Sequence, residues 1–173
     1  KIPGWVQILD PGITFEGFEV TGEVTTYNLD GEELDYGLDG AYDLTTGLSV
    51  FDPGVTIRDV TITDAPNGVY LPSDTTVENC TVENYSNYGM YISGGDSSSG
   101  TPSVVDSRVD GGNGEGNVGI GIENTGAVIQ RNEITGNEYT SEEGEEDGAG
   151  IAHFSGTGVE IYENILKEND DGL

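Results

Sequence analysis

The residues of this chain with types and spacing suited to chemistry fall into a few groups. His153 is the only histidine, and an imidazole that titrates near neutral pH suits a general base. It has no second histidine for a shared metal ion and no serine or cysteine nucleophile motif around it, so a structural or rim histidine is its plain reading. Asp106, Asp110, Glu115 and Glu123 lie on adjoining segments, and paired carboxylates cleave glycosidic bonds at the separations that inverting and retaining mechanisms require. With 33 acidic residues in 173, two carboxylates also meet by chance. Strand alternation places Arg108 on an outer surface next to Asp106 and Asp110, where a surface ion pair is its ordinary use. The catalytic candidates are therefore Asp106, Arg108, Asp110 and His153.

A second group is aromatic. If Val69 and Leu71 point inward, Tyr70 points outward, and Tyr91 takes the equivalent place one repeat along, about 5 Å away. Gly121 and Ala152 continue that column, so two rings stand beside a flat floor, with Tyr88 as a neighbour. Sugar rings stack on such platforms and a tyrosine adds a hydroxyl. Tyr70, Tyr91 and Tyr88 are the candidate ligand-binding residues; a tyrosine ladder that stiffens the sheet is the plain alternative. The acidic runs Asp30-Gly31-Glu32-Glu33 and Ser141-Glu142-Glu143-Gly144-Glu145-Glu146-Asp147 match neither a calcium-binding EF-hand loop nor a calcium-binding nonapeptide repeat. No metal-ligand set or cofactor is assigned, and calcium is the one ion such loops leave open.

These residues must be positioned by something repetitive, because the pattern is written twice between Asp52 and Ile92. It reads Val55-Thr56-Ile57-Arg58-Asp59-Val60-Thr61-Ile62-Thr63, a turn, Gly68-Val69-Tyr70-Leu71, then Thr76-Val77-Glu78-Asn79-Cys80-Thr81-Val82-Glu83, a turn, and Gly89-Met90-Tyr91-Ile92. Short alternations of Val, Ile, Thr and Tyr between turn formers are strands, and a fixed period of about twenty residues is a solenoid. Apolar pairs five apart recur as Phe15/Val20, Ile57/Ile62, Val77/Val82, Val104/Val109, Ile129/Ile134 and Ile161/Leu166. That makes six coils. A second strand follows each, always behind a glycine: Gly47, Gly68, Gly89, Gly119, Gly150 and Gly172. The repeated glycine implies a backbone there that other residues disfavour. Val6 to Phe15 matches Leu48 to Ile57 at an offset of 42.

Extra residues 23 to 46, 111 to 118 and 136 to 149 fall at one corner, and residues 93 to 103 at the next, so loops could wall a groove over the second-strand face. The expected fold is all-β, a right-handed parallel β-helix of about six coils in a single domain, 1-173, roughly 30 Å long. Because both ends fall at the same phase of the repeat and no capping helix is evident, the chain is expected to be a segment of a longer solenoid or to have its end covered by another subunit. The opening at Lys1 fits an excised or mature segment.

The units Ile129-Gln130-Arg131-Asn132-Glu133-Ile134-Thr135-Gly136-Asn137 and Ile161-Tyr162-Glu163-Asn164-Ile165-Leu166-Lys167-Glu168-Asn169 resemble the repeats of right-handed parallel β-helix proteins of the pectin-lyase-like superfamily and its periplasmic copper-processing relatives. The resemblance implies a stacked asparagine ladder through Asn132 and Asn164. It also implies two classes of function, since that superfamily holds polysaccharide lyases and glycoside hydrolases as well as tailspikes and plain rods. Its lyases use an Arg or Lys base, for which Arg108 is the best match. The Gly-His-Gly and Arg-Ile-Lys tripeptides of its hydrolases do not occur here.

Charge bounds the partners. A formal charge of -28 would destabilise a compact state at low ionic strength and is screened in brine. It argues against nucleic acid or anionic membrane, which need clustered Lys and Arg, and no transmembrane stretch is present. Cys80 is the only cysteine, so there is no disulfide framework. Together with the resemblance, this reads as an acidic, halophilic surface or virion protein of an archaeon or its virus. The expected function is a non-enzymatic extracellular or virion-surface module, a rod, spike or fibre binding a glycan or cell-surface receptor, as a homo-oligomer or within a larger assembly. The alternative is a carbohydrate-active enzyme, a polysaccharide lyase or glycoside hydrolase, with its site in the groove over the second-strand face.

Overall fold

The computed structural model describes residues 1–21, 46–72, 74–94, 100–112, 118–138 and 148–173, and every regular element among them is a short strand. The strands form three parallel sheets that wind around one core. The first sheet holds Thr14–Glu16, Thr56–Arg58, Thr76–Glu78, Ser103–Val105, Ala127–Gln130 and Val159–Tyr162. The second holds Ile2–Pro3, Glu19–Thr21, Thr61–Thr63, Thr81–Glu83, Arg108–Asp110, Glu133–Thr135 and Ile165–Lys167. The third holds Val6–Ile8, Thr46–Val50, Asn67–Leu71, Tyr88–Ser93, Val118–Glu123 and Ala149–His153. The stretch Val55 to Thr63, continuous in sequence pattern, thus divides at a bend between two sheets. The fold is a right-handed parallel β-helix of about six coils.

Register follows the apolar pairs. Phe15, Ile57, Val77, Val104, Ile129 and Ile161 align down the first sheet. Val20, Ile62, Val82, Val109, Ile134 and Leu166 align down the second. Leu48, Val69, Met90, Ile120 and Ile151 align down the third, and the offset of 42 appears as Val6 beside Leu48 and Phe15 beside Ile57. A one-residue slip would turn every one of these side chains to solvent, so burial locks the register. Burying one of them fully is worth about 1.5–3 kcal/mol; Val6, Phe15, Ile161 and Leu166, toward the ends of the stack, are only partly buried.

The corners explain the polar sequence. Between first and second sheets the left-handed region is occupied by Gly17, Asp59, Asn79, Asp106, Arg131 and Glu163, one per coil. The next corner holds Asp64, Asn84, Gly136 and Glu168 in the same region. Such backbones disfavour most side chains, with Asn, Asp and Gly the usual occupants. The glycines before the third sheet are another matter. None of Gly47, Gly68, Gly89, Gly119 and Gly150 has positive φ; what excludes a side chain there is space. A Cβ on Gly68 would lie 2.2 Å from Val82 Cγ1 and 2.3 Å from the Gly89 oxygen, and one on Gly119 would lie 2.4 Å from the Gly150 oxygen. The expectation of an unusual backbone at this corner is corrected: the coils close too tightly for a methyl group.

Candidate functional site

The corner between first and second sheets carries most of the sequence candidates. Asp106 and Arg131 stack in consecutive left-handed positions, and the Arg131 fork donates from Nε and Nη2 to Asp106 Oδ1 and Oδ2 at 2.6 and 2.7 Å. That hydrogen bond holds the Asp106 carboxyl below its ordinary range, so it is an anion fixed to a cation rather than a proton donor near neutral pH. Arg108, expected beside Asp106 and Asp110, pairs with Asp110 and, across the coils, with Glu83 in place of Asp106. The Asp110 carboxylate also accepts from the Gly112 N–H at 2.9 Å. Below this corner lies an open groove of about 430 Å³ lined by Asn79, Asp106, Arg108, Arg131, Glu133 and Glu163 among others.

Glu123 does not join them. It lies at the end of a third-sheet strand, where its carboxylate accepts the Tyr91 hydroxyl. Glu115 and the two acidic runs, at residues 30–33 and 141–147, lie outside the described residues. Among the described residues no three His, Cys, Asp or Glu side chains are grouped to hold a metal ion. His153 ends its strand in register with Ile122, in line with the buried column Leu71 and Ile92, yet is exposed beside Phe154.

All five basic residues are spent on ion pairs between neighbouring strands of the stack. Lys1 meets Glu19 at 3.1 Å, Arg58 meets Glu16, Arg108 meets Glu83, Arg131 meets Asp106, and Lys167 meets Glu133 at 2.9 Å. The junction between the second and third coils uses amides, with Asn79 Nδ2 donating to Asp59 and Asn84 Nδ2 to Asp64 at 3.2 Å.

The third sheet presents the aromatic candidates. Phe51 and Tyr70 have ring centroids 6.2 Å apart, Tyr70 and Tyr91 6.1 Å, Tyr88 and Tyr91 4.9 Å, and Tyr88 and Phe154 6.4 Å. This is a ridge of five rings, longer than the column of two tyrosines. The flat floor at Gly121 is corrected: a Cβ there would lie 2.9 Å from Tyr88 Cε1 and 3.2 Å from Tyr91 Cδ2, so those rings already lean over it. Packed this way, Tyr91 is only 6% exposed, whereas Phe51 and Phe154 remain 38% and 53% exposed. The open aromatic surface is carried by Phe51, Tyr70, Tyr88 and Phe154, with Tyr91 as their support.

Inside, the bend column runs Val60, Cys80, Ser107, Asn132 and Asn164. Cys80 is buried, and burial pushes its thiol up to about 11, so it packs as a small inert residue. The Ser107 N–H donates to Asn132 Oδ1 at 2.9 Å, the Asn132 N–H donates to Asn164 Oδ1 at 2.9 Å, and Asn132 Nδ2 reaches the Val104 carbonyl at 2.9 Å. The ladder through Asn132 and Asn164 is present. A second ladder escaped sequence reading: Asn137 donates to Asn169 Oδ1 and accepts the hydroxyl of buried Tyr85. Its signal was the recurrence of Tyr85, Asn137 and Asn169 three residues after Val82, Ile134 and Leu166.

A family model described as right handed beta helix region matches residues 45–173. Neither the curated proteins nor the solved structures contain a match.

Proposed function

This chain belongs to the right-handed β-helix family, and from that premise we propose that it is a non-enzymatic module of an extracellular or virion surface, a rigid rod working in concentrated salt and binding a neutral glycan along its aromatic ridge. The observation that carries the reading is the use of all five basic residues in ion pairs along the stack. A lyase base must be free to take a proton and an anionic polysaccharide needs cations to meet it. Here Arg108 and Arg131 are held by carboxylates on an acidic surface, which repels such a substrate. The ridge from Phe51 through Tyr70 and Tyr88 to Phe154 offers faces on which uncharged sugar rings stack. A cell-surface receptor bearing such glycans is the partner this chemistry fits, and repetition of the rod in a larger assembly multiplies weak contacts.

The carbohydrate-active alternative makes an opposite prediction. In molar salt with a panel of neutral and acidic polysaccharides, the protein is expected to release neither reducing ends nor unsaturated products, while neutral glycans retard it on an affinity gel. Product release that disappears in Asp106→Asn or Arg108→Lys would overturn the non-enzymatic reading. Tyr70→Ala should weaken glycan retention roughly tenfold.

A further inference from the structure

We propose that Asn79 and Asn84, at two successive corners of the third coil, are acceptor sites for N-linked glycans. Each opens an acceptor triplet, Asn79-Cys80-Thr81 and Asn84-Tyr85-Ser86, the asparagine-X-serine/threonine pattern that glycan transfer recognises when the middle residue is not proline. The triplets coincide with access. Asn79 and Asn84 are both exposed, with φ of 53° and 57° at bends between strands. The buried asparagines of the interior, Asn67, Asn132 and Asn137, are followed two residues later by Val69, Ile134 and Tyr139 and form no such triplet.

The corner at Asn79 also has room for the first sugar. Asn79 lines the groove of about 430 Å³, whose Arg108, Arg131, Asp106 and Glu163 side chains offer donors and acceptors to a sugar's hydroxyls. Above Asn84 the next coil presents Gly112, where a Cβ would come within 2.7 Å of Asn84 Oδ1. With no Cβ at Gly112, the coil passes close over the Asn84 side chain, which stays exposed.

The transfer is a substitution at the sugar's anomeric carbon. The asparagine Nδ2 forms the new C–N bond, the C–O bond to a polyprenyl-pyrophosphate carrier breaks, the carrier leaves as the pyrophosphate, and one amide proton passes to the transferase. The product amide keeps one N–H. The Asn79 bond to Asp59 and the Asn84 bond to Asp64 therefore survive, and modification does not unclip the second coil from the third.

This inference rests on the extracytoplasmic placement proposed above, and the test separates the two. The protein is purified from the cells that make it, its compartment recorded, and its peptides mapped by mass spectrometry. Glycan mass is expected on both the Asn79 and Asn84 peptides. Thr81→Val should remove it from Asn79 alone and Ser86→Ala from Asn84 alone, with Thr81→Ser retaining it and the circular dichroism spectrum unchanged in all three. Exported protein with both asparagines bare overturns the acceptor sites and leaves the surface reading standing; cytosolic protein with both bare overturns both.

Discussion

At Thr75 the inward column before the first sheet carries a hydroxyl into apolar surroundings. Val55 and Pro102 hold the equivalent buried places in the neighbouring coils, and Thr75 Oγ1 is the buried side-chain polar atom that lacks a hydrogen-bond partner among the described residues. A buried hydroxyl without a partner costs about 1–3 kcal/mol. Thr75→Val keeps the branched shape and removes that cost, so urea unfolding at fixed salt should show stability raised by about 1 kcal/mol; an unchanged or lowered midpoint would mean the hydroxyl is satisfied. Asp106 makes a different test. Its carboxyl is depressed by the hydrogen bond from Arg131, so the charged form favours the folded state above the ordinary value of 3.8. That contribution is lost as pH falls through the lower folded value. Comparison of the native protein with Asp106→Asn in urea should show a small gap at neutral pH, as befits an exposed pair, closing as pH drops below 3.8. A gap that persists in acid would assign the effect to the left-handed corner instead of the charge.

At the scale of the coil, the glycine column before the third sheet sets how closely successive turns approach. In Gly68→Ala the new methyl meets both Val82 and the Gly89 carbonyl oxygen, and backbone cannot give way as a flexible side chain can. The expected loss is about 3 kcal/mol, near the upper end for overpacking. Thermal unfolding checks it: a shift no larger than for an exposed substitution would mean the coils separate easily at that corner. These positions also show what a sequence can convey about such a fold. Strand register was legible because each core position is a recurring apolar pair with fixed spacing, as in Ile57/Ile62 and Val77/Val82, and burial permits no other alignment. The glycines were visible but their cause was not, since a missing Cβ looks the same whether φ or contact demands it. The left-handed column through Asp59, Asn79, Asp106, Arg131 and Glu163 was harder still, because an arginine and a glutamate are unusual there. Alternation placed Arg108 on the outer surface beside Asp110, but pairing across coils was illegible: Glu83 and Asp106 lie 25 positions from their arginines, and only stacking decides which carboxylate meets which cation.

Across the whole molecule, two electrostatic effects respond to salt in opposite directions. The ion pairs that clip coil to coil are exposed and contribute about 0–1 kcal/mol each, less as salt screens them. Against them stands a surplus of 28 negative charges on a short rod. Two carboxylates about 10 Å apart in water repel by roughly 0.4 kcal/mol, and each carboxylate of the surplus has several such neighbours, so the summed repulsion exceeds what the five basic residues can return. Screening therefore removes more destabilisation than stabilisation. Urea unfolding followed by far-UV circular dichroism should show the midpoint rising steadily from dilute buffer to molar KCl, with sodium and potassium acting alike because the effect is one of ionic strength. A flat or falling midpoint would remove the argument for life in brine, and with it the physical reason for so acidic a surface. Saturation at millimolar divalent cation would point to a bound ion instead.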